Sequence, residues 1–385
     1  VKDIKGEGEN ASLGMKVTGT KAKDGSETPG VITAHAKGDA DITLFGEAAS
    51  KAINIEAEDL TITSRGNISN GNYQARKALR VHTAQNHTIS GGNFSGGTAD
   101  ITNAGKMSGG AYTAKGTMGI TNQGTIENGT YTAGGDLTYT DTAEASLKDG
   151  TLISEEGKAQ VTAHGVLQIK KLSAKNSATV EADQDVTLTK AEAGTLAVSS
   201  GGSVKAGTLT AKTGDASVTA KTDATIGTLK AEAGSATVKA TEGKLDVTTL
   251  NAKEHAALTS GGAMEVTEVT AGTLAAESTA GSVKAGTLTA KTGDASVTAK
   301  TDVTIGTLKA EAGSATVKAT EGKLDVTTLN AKEHAALSSG GAMTLESASA
   351  DTLTAKAGTT LDATKIHTTG DASLASGSDM VLHEA

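Results

Sequence analysis

The chain has no cysteine, no tryptophan and a single proline, Pro29, in 385 residues, and each scarcity removes a class of protein. Without cysteine there is neither a disulfide framework nor a thiolate metal site. Four tyrosines and two phenylalanines are too few to line an ordinary globular core. No apolar run approaches the ~18 residues that suggest a membrane span, and no amphipathic helical period is present. Lys, Arg, Asp and Glu are interleaved to a net charge of −9, with no basic cluster dense enough to track phosphates. Nucleic acid is therefore not an expected partner. In place of these features stand 48 glycines and an abundance of Ala and Thr.

What is present is repetition. Residues 202–264 recur as residues 281–343 with two changes in 63 positions, Ala224 to Val303 and Thr259 to Ser338. Within the copy a shorter period shows: Leu209, Leu229, Leu250, Val269, Leu288, Leu308 and Leu329 follow one another at 20, 21, 19, 19, 20 and 21 residues. A period near 20 without a helical pattern marks a strand solenoid, whose coils bury their inner faces only by stacking. The long duplication is then four coils.

Each coil carries three short apolar segments, such as TLTA around Leu209, ASVTA around Val218 and ATIG around Ile226, separated by the turn sequences KTGD and KTD. Alternation puts Ala216, Val218 and Ala220 on one side and Ser217 and Thr219 on the other. In the same phase Ala224 and Val303 point inward with Ile226 and Ile305, and Thr259 points outward. Three strands and three turns per coil predict an all-β parallel β-helix with 18–21 residues per coil. Its expected interior includes Leu209, Val218, Ile226, Leu229, Val238, Leu250, Leu288, Val297, Ile305, Leu308 and Leu329. Roughly 19 coils at about 4.8 Å each would reach on the order of 90 Å.

The first half follows the same rule in other residues. ISNGNY (68–73) is echoed by ISGGNF (89–94), MSGGAY (107–112), IENGTY (126–131) and LKDGTL (147–152). Stacked, these become an aliphatic column, a glycine column at the turn and an aromatic column of Tyr73, Phe94, Tyr112 and Tyr131. Such a column is either a sugar-stacking platform or an internal ladder, and its regular inward phase favours the ladder.

Periodicity is weakest in residues 1–30, expected to be an irregular N-terminal edge. A section with aromatic, Asn and Gly ladders follows over 31–160, and an Ala/Lys/Thr-rich section over 161–385. A boundary at SEEGK, near 155–160, is compatible with this but not required. The opening VKDIKGEG has neither an initiating Met nor a signal sequence, which suggests an internal piece of something longer.

Candidate sites are sparse. His82 and His87 lie five apart with no carboxylate cluster to complete a metal set, and His255 and His334 are one position in the two copies. Exposed turn histidines account for them, and no metal or cofactor is expected. A carbohydrate-active β-helix enzyme would need carboxylates in a cleft built by long loops, and coils of 18 to 21 residues leave no such loops. Arg65, Arg76 and Arg80 form the one arginine cluster, read as a solvated, salt-linked surface. No catalytic residue is assigned.

Thr-x-Thr triplets at 61–63, 208–210 and 287–289 suggest an ice-binding face, but the rank breaks where the next coils read TLK and TLN. Calcium-binding GGxGxDxUx repeats are absent. Lys37-Gly38-Asp39 looks like an integrin-type tripeptide, although Gly-Asp is common turn chemistry here, as at Gly214-Asp215. Asn67, Asn86, Asn93 and Asn128 each begin an Asn-x-Ser/Thr triplet, which fits either glycan acceptance or asparagine stacking at turns.

Coils such as GSVKAGTLTAKTGDASVTAK, the GG turns in SSGGSV and TSGGAM, and the poverty in Cys and aromatics resemble the filamentous haemagglutinin family of bacterial exoproteins over about residues 31–385. That family includes two-partner-secreted adhesins and contact-dependent inhibition exoproteins; autotransporter passengers share the repeat style. The resemblance implies a right-handed parallel β-helix shaft outside the cell, exported through an outer-membrane secretion pore. Its implied partners are glycans or proteins of host-cell or bacterial surfaces. The family's amino-terminal secretion domain is not recognisable in this sequence. The expected function is thus a rod-like adhesin or filament shaft, with a passive shaft lacking its own ligand as the alternative and a carbohydrate-active enzyme as a further one.

Overall fold

The computed structural model describes residues 3–6, 13–18, 32–49 and 53–384. The described residues contain no helix, and every strand pairing is parallel, each strand lying against the equivalent strand one turn on. The fold is therefore an all-β parallel solenoid. It divides between Ala193 and Gly194 into two compact units. The composition change near 155–160 lies inside the first of them, where strand Ser146–Ser154 pairs with Val166–Ala174 across it. Of residues 1–30, strands Asp3–Gly6 and Leu13–Thr18 pair with Ile32–Ala36 and Ala40–Ala49; the remainder, Pro29 included, lies outside the described residues.

In the second unit a turn is built from two strands rather than three separate ones. ATIG and the following TLKA run together as Ala224–Ala231, and Ala216–Ala220 is the other strand. The long strand still has two inward faces. Gly227 and Thr228 both point away from the interior, so the alternation skips a beat and the backbone turns a corner there. The pairing records the same corner, since Ala206↔Ile226 is followed directly by Thr208↔Thr228. The sequence resolved the three inward runs but not the continuity of two of them, because Gly-Thr reads as a break while the backbone hydrogen bonds continue through it.

The seven apolar residues from Leu209 to Leu329 stand in one unbroken register column, turn upon turn. Val218 and Val238 are likewise paired, as are Ile226 and Val247, and Val297 pairs onward to Val317 and Ile305 to Val326. All are at most 1% exposed. Burying each aliphatic side chain contributes about 1.5–3 kcal/mol, and the supply is continuous because every turn contributes one to each column. Val204↔Ala224 and Val283↔Val303 show that the two copies use the same register. Ala224 and Val303 are buried, while Thr259 and Ser338 lie half-exposed on the outer side.

The turns are held by an Asp–Gly pair that spans adjacent coils. Asp215 Oδ1 accepts the backbone N–H of Ser235 at 2.8 Å, and Asp223 Oδ1 that of Lys244 at 2.8 Å. Asp294 and Asp302 repeat these bonds to Ser314 and Lys323 in the second copy. Each carboxylate sits where a Cβ on the residue before that N–H would go, and that residue is Gly234, Gly243, Gly313 or Gly322. A carboxylate accepting a main-chain N–H is a strong bond, and here it ties each turn to the next. Gly243→Ala should therefore displace Asp223 and lower stability by about 1–3 kcal/mol. Thermal unfolding checks this, and Lys244→Ala, which keeps the N–H, should cost less than ~0.5 kcal/mol.

In the first unit the turn column carries left-handed backbone. Asn70, Asn128 and Asp149 have φ of 58°, 55° and 52°, and Gly91 and Gly109, at the same place in their turns, have 69° and 66°. Asn, Asp and Gly are the residues that tolerate this region, which is why only they occupy the column.

Candidate functional site

The aromatic section of the first unit holds the densest group of unusual side chains. Strands Asn72–Ala75, Asn93–Gly96, Ala111–Ala114 and Thr130–Ala133 pair in order and bring Tyr73, Phe94, Tyr112 and Tyr131 into one column. Their ring centroids are 4.7, 4.6 and 4.8 Å apart, with interplanar angles of 9°, 5° and 9°. All four rings are at most 1% exposed, so none presents a face to a sugar from outside. The stack spacing is the strand spacing, so ring contact comes free with the backbone register.

Two of these rings carry a cost. Tyr112 Oη and Tyr131 Oη are buried without a hydrogen-bond partner, and burial pushes both phenols upward from their ordinary pKa. Phe94, in the same column, has no hydroxyl to desolvate. Tyr112→Phe is accordingly expected to raise stability by about 1–2 kcal/mol with the stack unchanged. A higher midpoint in urea at constant slope would show it.

Beside the rings runs a buried polar column that the sequence reading passed over. Ser64, Thr83, Asn103, Asn122 and Asp141 are consecutive register partners, each at most 3% exposed. Asn103 Nδ2 donates to Asn122 Oδ1 at 2.8 Å, and Asn122 Nδ2 donates to Tyr139 Oη at 3.0 Å. Tyr139 Oη donates to Asp141 Oδ2 at 3.2 Å, and Asp141 Oδ1 accepts the N–H groups of His164 and Gly165. Burial raises the Asp141 carboxyl's pKa, partly offset by those two N–H donors. The signal was available: TNAG, TNQG and TDTA place Asn103, Asn122 and Asp141 at successive intervals of 19 residues. From Asn103 to Asp141 these groups bond to one another and to the backbone, which makes the stretch a structural spine, whereas Thr83 Oγ1 is buried without a partner.

Outside the rings, Asn54, Asn72 and Asn93 are exposed register partners. With Asn70, Gly71 and Gly92 they line a shallow groove of about 390 Å³. This rank presents amide donors and acceptors outward at strand spacing.

No protein-family model matches this chain, and no curated protein or solved structure matches it.

The other sequence candidates fall at separate places. Arg76 donates to Glu56 Oε1 at 2.9 Å through Nη2, and this guanidinium holds the Glu56 carboxyl below the usual range. Arg80 is exposed opposite Asp100, and Arg65 is exposed on strand Leu60–Ser69. His82 sits on the outer side of strand Ala78–Thr83, whereas His87 lies in the turn after it. Among the described residues no group of three or more His, Asp or Glu side chains is arranged to hold a metal ion. His255 and His334 make the same bond in both copies, Nδ1 to the Thr273 hydroxyl at 2.7 Å and to the Thr352 hydroxyl at 2.8 Å. Lys37, Gly38 and Asp39 form the turn after Ile32–Ala36, where Gly38 O accepts the Glu58 N–H. Of the Asn-x-Ser/Thr asparagines, Asn67 spends its Oδ1 on the Thr88 N–H, Asn86 and Asn128 hold left-handed turns, and Asn93 is exposed in the groove.

Proposed function

We propose that the chain is an extracellular shaft segment of a bacterial surface adhesin, a right-handed β-helix of the filamentous haemagglutinin kind, exported through an outer-membrane pore. A β-solenoid is compatible with a structural shaft, and one observation favours that use. The 79-residue repeat comprises four whole turns whose first strands pair in the same register in both copies, so a unit can be added without creating a new interface. An enzyme gains nothing from such an addition, whereas a spacer gains reach. In this reading the turns separate a binding element from the cell, and weak contacts along a flank, such as the Asn54–Asn72–Asn93 rank, add to attachment by multivalency. The near-identity of the copies favours a second reading for residues 202–343 in particular, a passive spacer with no ligand of its own.

The test compares the full chain with a variant lacking residues 202–280, one whole repeat. The variant should fold with an unchanged β signal and bind glycan arrays and intact host or bacterial cells as the full chain does. Loss of cooperative folding on deletion would oppose the modular shaft. Binding by neither protein would leave the passive spacer as the function.

A further inference from the structure

The second unit contains a notch at one corner, and the corresponding corner 79 residues on carries a carboxylate. At one corner of the solenoid, connections between strands vary in length: residues 232–235 and 291–294 form four-residue turns, 253–254 a two-residue turn, and Gly272 alone joins Met264–Ala271 to Thr273–Ser278. The two short turns are recessed between the long ones. The result is a notch of about 290 Å³ lined by Asn251, Lys253, Thr270, Gly272, Lys291 and Thr292, with the Lys230–Glu232 ion pair at its rim. The volume is at the small end for small-molecule sites.

The repeat supplies a comparison within one molecule. Thr292 N–H donates to Gly272 O, and one repeat later Gly370 N–H donates to Asp351 O. With the His255–Thr273 bond matching the His334–Thr352 bond, this equates Gly272 with Asp351 and Lys291 with Thr369. At that later corner the Asp351 carboxylate accepts a hydrogen bond from the Thr369 hydroxyl. At Gly272 there is no such side chain. A Cβ at position 272 would stand 2.5 Å from the Glu254 carbonyl oxygen and 3.0 Å from Thr292 Oγ1, so this backbone takes only glycine and the corner carries no side chain of its own. An ammonium, Lys291, stands in place of the Thr369 hydroxyl, with Lys253 on the neighbouring turn.

We propose that the notch at Gly272 binds the carboxylate of an acidic sugar. The carboxylate lies in the notch against Thr292 and Lys291, as the Asp351 carboxylate lies against Thr369 at the later corner. A charge-assisted bond to an ammonium is about twice as strong as a neutral one, so Lys291 is a better partner for an anion than the Thr369 hydroxyl. Asn251 and Thr270 offer an amide and a hydroxyl to the sugar's own hydroxyls. This deepens the adhesive reading by naming a ligand class and a place, and its test is separable from that reading.

The experiment titrates the full chain at low salt with tetragalacturonate and with its methyl ester, by calorimetry. Binding of the acid, weakened about tenfold or more by esterification, is expected. Lys291→Gln, at an exposed side chain, should weaken binding about fivefold or more with the melting temperature held. Asp351→Asn should leave it unchanged. Equal binding of the ester, or full binding by Lys291→Gln, overturns the site. Equal binding of tetraglutamate or of acetate overturns the sugar assignment. Cell binding by the full chain that survives Lys291→Gln removes the notch but not the adhesin; tetragalacturonate binding without any cell binding does the reverse.

Discussion

Raising the pH beyond about 10 is expected to unfold residues 1–193, by a mechanism residues 194–385 do not share. All four tyrosines of the chain, Tyr73, Tyr112, Tyr131 and Tyr139, lie in the first unit, and each is 0% exposed. Burial raises the pKa of every one, and for Tyr139 the nearby Asp141 carboxylate adds to it. A group whose folded pKa lies above its unfolded value contributes stability that is whole below the unfolded value, about 10 for a phenol, and is lost as pH climbs towards the folded one. Above that pH the unfolded chain releases phenolic protons that the folded chain keeps. Each group then costs about 1.4 kcal/mol per pH unit, so four together remove about 5 kcal/mol per unit, against a typical total of 5–15 kcal/mol. Tyrosinate absorbance and circular dichroism followed together provide the check. Absorbance should appear cooperatively, in step with a partial loss of β signal, and replacing the four tyrosines by phenylalanine should abolish that step. Tyrosinate forming near pH 10 with the β signal intact would mean the rings are open to solvent.

The tyrosines also show what the sequence disclosed and what it concealed. Tyr73, Tyr112 and Tyr131 each follow a Gly-containing turn at a fixed offset, so period and phase together put them inside. Tyr139 sits in TYTD, away from that signature, and its place opposite Ile120 and Val161 follows only from the pairing. The hydrophobic columns were legible because a solenoid interior repeats one residue class at one interval. The polar spine of Asn103, Asn122 and Asp141 repeats just as regularly, but Asn and Asp are read by habit as turn residues, and nothing in a single coil reveals that they face inward. The Asp–Gly clamps were hidden for another reason: Asp215 and Gly234 each look like ordinary turn chemistry, and their dependence on each other exists only between coils. The notch at Gly272 required turn lengths at one corner to be compared, which the register alone supplies.

Val218→Asp is expected to cost about 3–5 kcal/mol at neutral pH, whereas Thr219→Glu should change stability by less than about 0.5 kcal/mol. Val218 lies between Val198 and Val238 in a buried column that offers a carboxylate no donor. An aspartate there either stays ionised without a partner or takes up a proton and leaves its hydroxyl unbonded. Lowering the pH through the raised pKa of such a group should recover part of the loss, because the neutral acid is the cheaper form to bury. Thr219 points outward between Ser199 and Lys239, so a glutamate meets an ammonium on the next turn. A lysine at 219 would instead face Lys239 and carry a small cost from like charges side by side. The duplicate provides an internal repeat of the experiment, since Val297 lies between Ala276 and Val317. The smaller Ala276 leaves more room for the carboxylate, and Val297→Asp should therefore be the milder of the two. Thermal unfolding of the three variants decides the matter: equal losses from Val218→Asp and Thr219→Glu would overturn the inward and outward assignment on which both the core and the outer faces depend.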